Sequence, residues 1–368
     1  MIHLRDTEAT PPKLIRKHIE VEGLSGKDLD SLYYSERAIT GYNRTFNIAL
    51  GPREIGKTTR FLRKGWEGAC SGKGTFIYVA RHLNTFSSGF IEMEIRSRLQ
   101  QFYEVPPFEF SSSELNNGWA IIYAEGYPVM AVVALGMRTD KLKRVFVRNP
   151  NFMFMDEMVI NTKKGERYLN EEATALEELY NTITRQKRGL KVYLCGNVYS
   201  MYNPYFLRWG VDTTKLRKGG IYVNDKCAVE LPVLNPRLRE IITRKNVNYK
   251  FDDFYTKYAL DGEALNDRYI KINPRFPRGY KLRFVLVCEG YRIGIYSNGD
   301  NFYATYTDGS ERKTALSFDI KELIEGSRVI TLQDRMRTGF FKMKMGKNEV
   351  VFKDLACYYL LEDIWRLL

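Results

Sequence analysis

Histidine is nearly absent from this sequence. Only His3, His18 and His82 occur in 368 residues, and no pair stands at a metal-binding interval, so zinc spacing cannot be built. Cysteine is almost as sparse: Cys70, Cys195, Cys227, Cys288 and Cys357 form an odd, scattered set with no C-x-x-C pair. That argues against a disulfide framework and for reduced thiols in a cytosolic setting. The N-terminus is polar rather than signal-like, and no apolar run reaches transmembrane length, so a soluble, intracellular protein is expected, with no membrane partner. Internal repeats and low-complexity tracts are missing as well, which sets aside repeat architectures and biased tails.

Positive charge, by contrast, is in excess. Lysine and arginine number 57 against 44 acids, a formal charge of +13. The simplest cause is a polyanionic partner such as nucleic acid, the plain alternative being a charge excess without a ligand. Hydrophobic residues make up 44% and aromatics 14%, which places the chain among folded proteins, and its length allows two domains.

The most informative stretch is Phe46-Asn-Ile-Ala-Leu-Gly51-Pro-Arg-Glu-Ile-Gly56-Lys57-Thr58-Thr59. An apolar strand pattern runs into G-x-x-x-x-G-K-T and then into a helix-compatible segment, the context a P-loop requires. Gly51 and Gly56 let the backbone turn its N–H groups toward phosphates, Lys57 supplies a point charge, and the Thr58 hydroxyl suits Mg²⁺. Thr59 opens the helix beside them. About a hundred residues on, Asn151-Phe-Met-Phe-Met-Asp156-Glu157 is an apolar strand ending in two acids. Asp156 is positioned to join the Mg²⁺ shell and Glu157 to polarise an attacking water. A third strand, Lys191 to Asn197, ends in an amide suited to sensing the γ-phosphate. These three strands read as the core of an NTPase.

Along the rest of the chain, residues 1–30 read as an extension without visible chemistry. Tyr33, Tyr34, Tyr42 and Arg44 precede the first strand, where an aromatic and an arginine either flank an adenine base or simply pack. Thr75 to Val79 is a strand, and Arg81 and His82 open a polar loop after it. A helix pattern covers 90–103. Trp119 to Tyr123 and Pro128 to Leu135 form a hairpin about Glu125-Gly126. Helical spacing recurs over 171–183 and runs into Thr184-Arg185-Gln186-Lys187-Arg188-Gly189. Arg185 either complements the helix dipole or reaches a neighbouring subunit's γ-phosphate as an arginine finger. The fold class expected is α/β: a P-loop NTPase core, mainly parallel sheet flanked by helices, over 31–231. A helical linker or lid follows over 232–272. Residues 273–368 are expected to form a small α+β domain, with a meander of short strands and a closing helix.

The chain resembles the DNA-packaging (encapsidation) ATPases of small phi-29-like tailed bacteriophages, which are related to large terminase ATPases. The likeness runs from about Ser31 to the C-terminus and is densest over 31–225. It rests on S-L-Y-Y and Y-N-R before the first strand, G-P-R-E-I-G-K-T, F-I-Y-V with a following arginine, M-D-E-M, and L-C-G-N followed by N-P-Y-F at 203–206. The resemblance implies an ASCE-type (RecA-like) ATPase ring, a pentamer, that uses ATP and Mg²⁺ to move double-stranded DNA through the portal vertex of a procapsid in the host cytoplasm, and a structural packaging RNA is a further partner to test. It implies nucleotide contacts at Lys57 and Thr58, an Mg²⁺ residue at Asp156, a catalytic glutamate at Glu157 and a trans-acting finger at Arg185. Asn197 falls at the coupling position, Arg53 at a P-loop arginine and Lys141 near a second trans-acting lysine. Arg81 becomes the preferred DNA contact, with Lys163 and Lys164 as second choices. The C-terminal domain is implied to be a degenerate RNase H-type nuclease, and its solvated turn acids argue against cleavage. Competing readings are a large terminase with an active nuclease, a helicase or initiator ATPase on single strands, and a nucleic-acid-binding scaffold with a relic P-loop.

Overall fold

The computed structural model describes residues 9–365 apart from 22, 83–86, 111–117, 138–140, 142–144, 146, 148, 163–165, 186–188, 251–253, 266, 268–269, 311–312 and 319. The chain divides into two compact units, Met1–Leu265 and Asn266–Leu368.

The first unit is built on a nine-stranded sheet among the described residues. From one edge the order is Ile221–Val223, Cys227–Glu230, Phe46–Leu50, Val192–Gly196, Pro150–Met155, Thr75–Ala80, Tyr127–Ala134, Trp119–Ala124 and Phe108–Phe110. The six strands from Cys227–Glu230 to Tyr127–Ala134 pair in parallel, and the outer pairings at both edges are antiparallel. The central strands are buried on both faces, as parallel strands under crossover helices must be. Their two-residue period sends alternate side chains to opposite cores. Phe76, Tyr78, Phe152, Phe154, Tyr193 and Cys195 join Phe61 and Trp66 of the P-loop helix on one face. On the other, Ile77, Val79, Met153, Met155, Val192 and Leu194 meet Leu176, Leu179 and Ile183. Each such buried side chain contributes roughly 1.5–3 kcal/mol relative to exposure.

The helix after the phosphate loop spans Lys57–Cys70. It lies close to the sheet because Gly65 has no side chain: a Cβ there would come within 2.4 Å of the Phe76 ring. The hairpin forms about Glu125 and Gly126, with φ of 53° and 75°, a turn that needs two left-handed residues. The helix expected over 90–103 has a π-helical turn at Ile91–Arg96 and ends at Gln100.

Two boundaries differ from the sequence reading. The segment after 232 is no free-standing linker: Leu234, Leu238, Ile242, Tyr249, Tyr258 and Leu260 share one apolar cluster with Phe61 and Trp66. The second unit starts before 273, because Lys271–Ile272 pairs with Val351 and Phe352 of its sheet. The expected N-terminal extension is tied down too, by the pairing of Ile15–Arg16 with Tyr103–Glu104.

Among its described residues the second unit holds a seven-stranded sheet whose centre is the meander Lys281–Cys288, Tyr291–Asn298 and Asn301–Tyr306. The basic stretch 334–347 is helical, Leu332–Gly346, started by a Thr331–Asp334 capping box. No helix among the described residues is long and apolar enough to cross a membrane.

Candidate functional site: a nucleotide cavity at the strand ends

The C-terminal ends of the central parallel strands are where ligands bind in open α/β sheets. Here they open into a cavity of about 960 Å³, lined by Lys57, Thr58, Thr59, Asp156, Glu157 and Asn197 together with Arg53, Gly56, Tyr33 and Arg37. Residues drawn from three separate strand ends thus converge on one space.

The phosphate loop is held from several sides. The Gly51 N–H donates to the Gly196 carbonyl (3.2 Å), and the Arg53 N–H to the Ala259 carbonyl (2.7 Å). A Cβ at Gly51 would lie 2.9 Å from Pro232, so the glycine permits the loop to pack against the next crossover. Gly56 has φ of 85°, a conformation that favours glycine. Lys57 is buried, and its ammonium donates to the Gly51 carbonyl (3.1 Å) and to that of Pro52. Burial pulls its pKa down to about 8, against the opposing influence of Cys195 and Asp156.

That shift carries a pH consequence. A folded-state value below the ordinary one means that folding stability is gained as pH rises from about 8 toward 10.5, the lysine being more easily neutralised when buried. Nucleotide binding has the opposite dependence, since triphosphate favours the charged lysine. ATP affinity is expected to be insensitive to this group below pH 8 and to fall by up to about tenfold per unit above it, with proton uptake on binding. Titration calorimetry in buffers of different ionisation enthalpy checks it; an affinity constant from pH 7 to 9.5 would contradict the assignment.

Asp156, Cys195 and Thr58 are linked directly. The Cys195 thiol donates to Asp156 Oδ1 (3.0 Å) and is also hydrogen-bonded by the Thr58 side chain. The hydroxyl and the carboxylate therefore sit about one sulfur atom. Hard oxygen donors in small number, next to room for phosphates, match what Mg²⁺ takes from a protein. When bound, Mg²⁺ neutralises charge on the β- and γ-phosphate oxygens.

Glu157 faces the cavity from a left-handed backbone, φ 53°. Dehydration by the cavity walls and then the neighbouring Asp156 push its carboxyl above the ordinary carboxylate range. A base with a raised pKa is better matched to water activation near neutrality. A second cavity, about 590 Å³, shares Thr58, Arg98, Asp156 and Glu157 with the first and reaches His82 and Arg167.

Other expected residues have different placements. Of the aromatics before the first strand, Tyr33 lines the cavity, whereas Tyr34 is buried with its hydroxyl on Glu230 (3.1 Å). Arg53 donates to the Tyr199 hydroxyl (2.7 Å) and the Tyr258 hydroxyl (3.3 Å), joining the loop to helix Phe254–Asp261. Arg185 caps the C-terminus of helix Glu172–Thr184 and is exposed, outside the lining of either cavity. Lys141 is half-buried and also outside both linings. Lys163 and Lys164 lie outside the described residues.

Arg81, expected at the DNA, forms a two-point ion pair with the buried Glu172 (2.7 and 2.8 Å) and lines the second cavity. Two further residues belong to this arrangement and were missed: Glu172, and Tyr205, whose hydroxyl donates to Glu172 (2.6 Å). The Asn203-Pro-Tyr205-Phe206 motif was the available signal. Asn203 caps the helix Pro204–Trp209, which aims Tyr205 inward.

Comparison with known proteins places the chain in a family and shows related folds. The family model described as podovirus DNA encapsidation protein (Gp16) matches residues 28–362. The DNA packaging proteins of Bacillus phages PZA and phi29 are each 24% identical over 313 residues, covering 82% of this chain and 87% of theirs. Among solved structures, a chain of the bacteriophage Phi-29 viral genome packaging motor assembly aligns with TM-score 0.66 and 18% identity, over 91% of this chain and 99% of that one. A chain of the Phi-28 gp11 DNA packaging motor aligns with TM-score 0.58 and 16% identity, over 91% and 97%. The chain belongs to the podovirus DNA encapsidation protein (Gp16) family.

Proposed function

We propose that this chain hydrolyses ATP in a homo-oligomeric ring at the portal vertex of a procapsid and uses the energy to translocate double-stranded DNA. The observation carrying this is the convergence of Lys57, Thr58, Asp156, Glu157 and Asn197 on one cavity. Lys57 and the loop N–H groups bind the β- and γ-phosphates. Glu157 orients the attacking water, and Thr58 with Asp156 holds Mg²⁺. Charge building on the transferring phosphoryl group is met by Lys57 and by Arg185 of a neighbouring subunit. The exposure of Arg185, remote from its own cavity, supports a role in trans. Lys141 is a second candidate for that face. The reading that DNA is gripped by its phosphates, without sequence preference, is supported by the +13 charge.

For the second unit we propose binding rather than cleavage. Several of its acids already have structural duties: Asp334 is paired with Arg328 and caps a helix, Asp354 accepts from the Cys357 N–H, and Asp308 closes a turn with Ser310. The test of the whole reading is ATP turnover with and without double-stranded DNA, on full-length protein of measured oligomeric state, with Mn²⁺-dependent cleavage assayed alongside. DNA-stimulated turnover by an oligomer is expected. Absence of turnover in every assembly state overturns the reading, and cleavage would restore the terminase alternative.

A further inference from the structure

We propose that Glu172 is a positioning residue for hydrolysis, holding through Arg81 the backbone turn that carries Glu157. The inference rests on the reading of Glu157 as the water-activating group.

Glu172 is fully buried in the first turn of its helix, an unusual place for a carboxylate. All its hydrogen bonds converge from other elements: Arg81 Nε (2.7 Å) and Nη2 (2.8 Å), the Tyr205 hydroxyl (2.6 Å) and the Leu169 N–H (2.9 Å). Arg81 spends the rest of its fork on the catalytic turn. Nη1 and Nη2 donate to the Glu157 carbonyl (3.3 Å each), and Nη2 also donates to the Met158 carbonyl (3.2 Å).

Those carbonyls flank a backbone in need of support. A non-glycine residue at φ 53° is strained and persists only where its surroundings over-determine it. The turn is pinned on its other side, since the Met158 N–H donates to the Cys195 carbonyl (3.0 Å) and the Glu157 N–H to Asp156 Oδ1 (2.9 Å). Arg81 supplies the opposing contacts, and Glu172 fixes Arg81. Without the buried carboxylate the guanidinium loses that paired charge and the fork its orientation. Glu157 would then sample other positions relative to the γ-phosphate, and a displacement of about 1 Å is enough to cost roughly 10²-fold in rate.

A purely structural ion pair would affect melting and leave turnover of the folded enzyme intact. The test is therefore kcat against KM, on full-length protein well below its melting temperature. Glu172→Gln removes the charge and keeps one acceptor oxygen, for Tyr205 or for Leu169 but not for both, since they bond to different carboxylate oxygens. It is expected to lower kcat about 10²-fold, with KM and Kd for ATP within about threefold of wild type. Arg81→Lys keeps a charge but cannot reach the carboxylate and both carbonyls together, so it is expected to match, and it carries the test should Glu172→Gln not fold. Folded variants with wild-type kcat, or a loss explained by weakened ATP binding, overturn the inference. Glu157→Gln, measured in parallel, separates the two levels. If it is inactive while Glu172→Gln turns over normally, only the positioning role falls; if it is itself fully active, the catalytic reading falls and this inference with it.

Discussion

Glu157→Gln is expected to lower ATP turnover by about 10²–10⁴-fold while ATP binding stays near wild type. Glutamine has nearly the same shape, so the loop, Lys57 and the Thr58–Cys195–Asp156 linkage remain as they are. What disappears is the carboxylate that polarises water. Steady-state turnover together with equilibrium binding of a fluorescent ATP analogue separates the two effects. Loss of binding would give Glu157 a different role. The wild-type pH profile gives a companion observation. Because the cavity walls and Asp156 raise the Glu157 carboxyl, the acid limb of kcat/KM should lie above the ordinary glutamate range. The charges facing Glu157 here are Asp156 and Glu166, which raise it, and Arg81 and Arg53, which lower it.

Arg185→Ala is expected to cost roughly 10³–10⁵-fold in turnover if its guanidinium completes a neighbour's site. The effect should appear only in the assembled oligomer. Mixing decides the matter: rings assembled from Arg185→Ala and Glu157→Gln subunits contain interfaces where an intact Glu157 meets an intact Arg185. Those mixtures should regain activity that neither variant has alone. Activity that stays flat at every mixing ratio would leave Arg185 as a helix-end cation that interacts with the dipole.

These predictions depend on different layers of the protein. The phosphate loop, the acidic pair after an apolar strand and the hairpin about Glu125-Gly126 were readable from the chain because their determinants are contiguous. Glycine at a left-handed turn, alternating apolar residues and an acid at a strand end act over a few residues. The resemblance to packaging ATPases drew on the same local strings, and the family match over residues 28–362 bears it out.

Arg81 shows where such reading ends. As a basic residue opening a polar loop it pointed outward, but its partners lie 91 and 76 residues away, at Glu172 and Glu157. Glu172 lies within the helical pattern over 171–183 and carried no signal of its own, yet the fold buries it against Tyr205. Arg53 likewise meets Tyr199 and Tyr258, brought together because residues 236–265 pack into the first unit rather than standing apart. The sequence alone carried the groups suited to binding and splitting a triphosphate, since that chemistry is written in short strings. That Lys57, Asp156, Glu157 and Asn197 line one cavity, and that Arg81 pairs with Glu172, was decided by the order of strands in the sheet, because the pairing of charges across it has no signature along the chain.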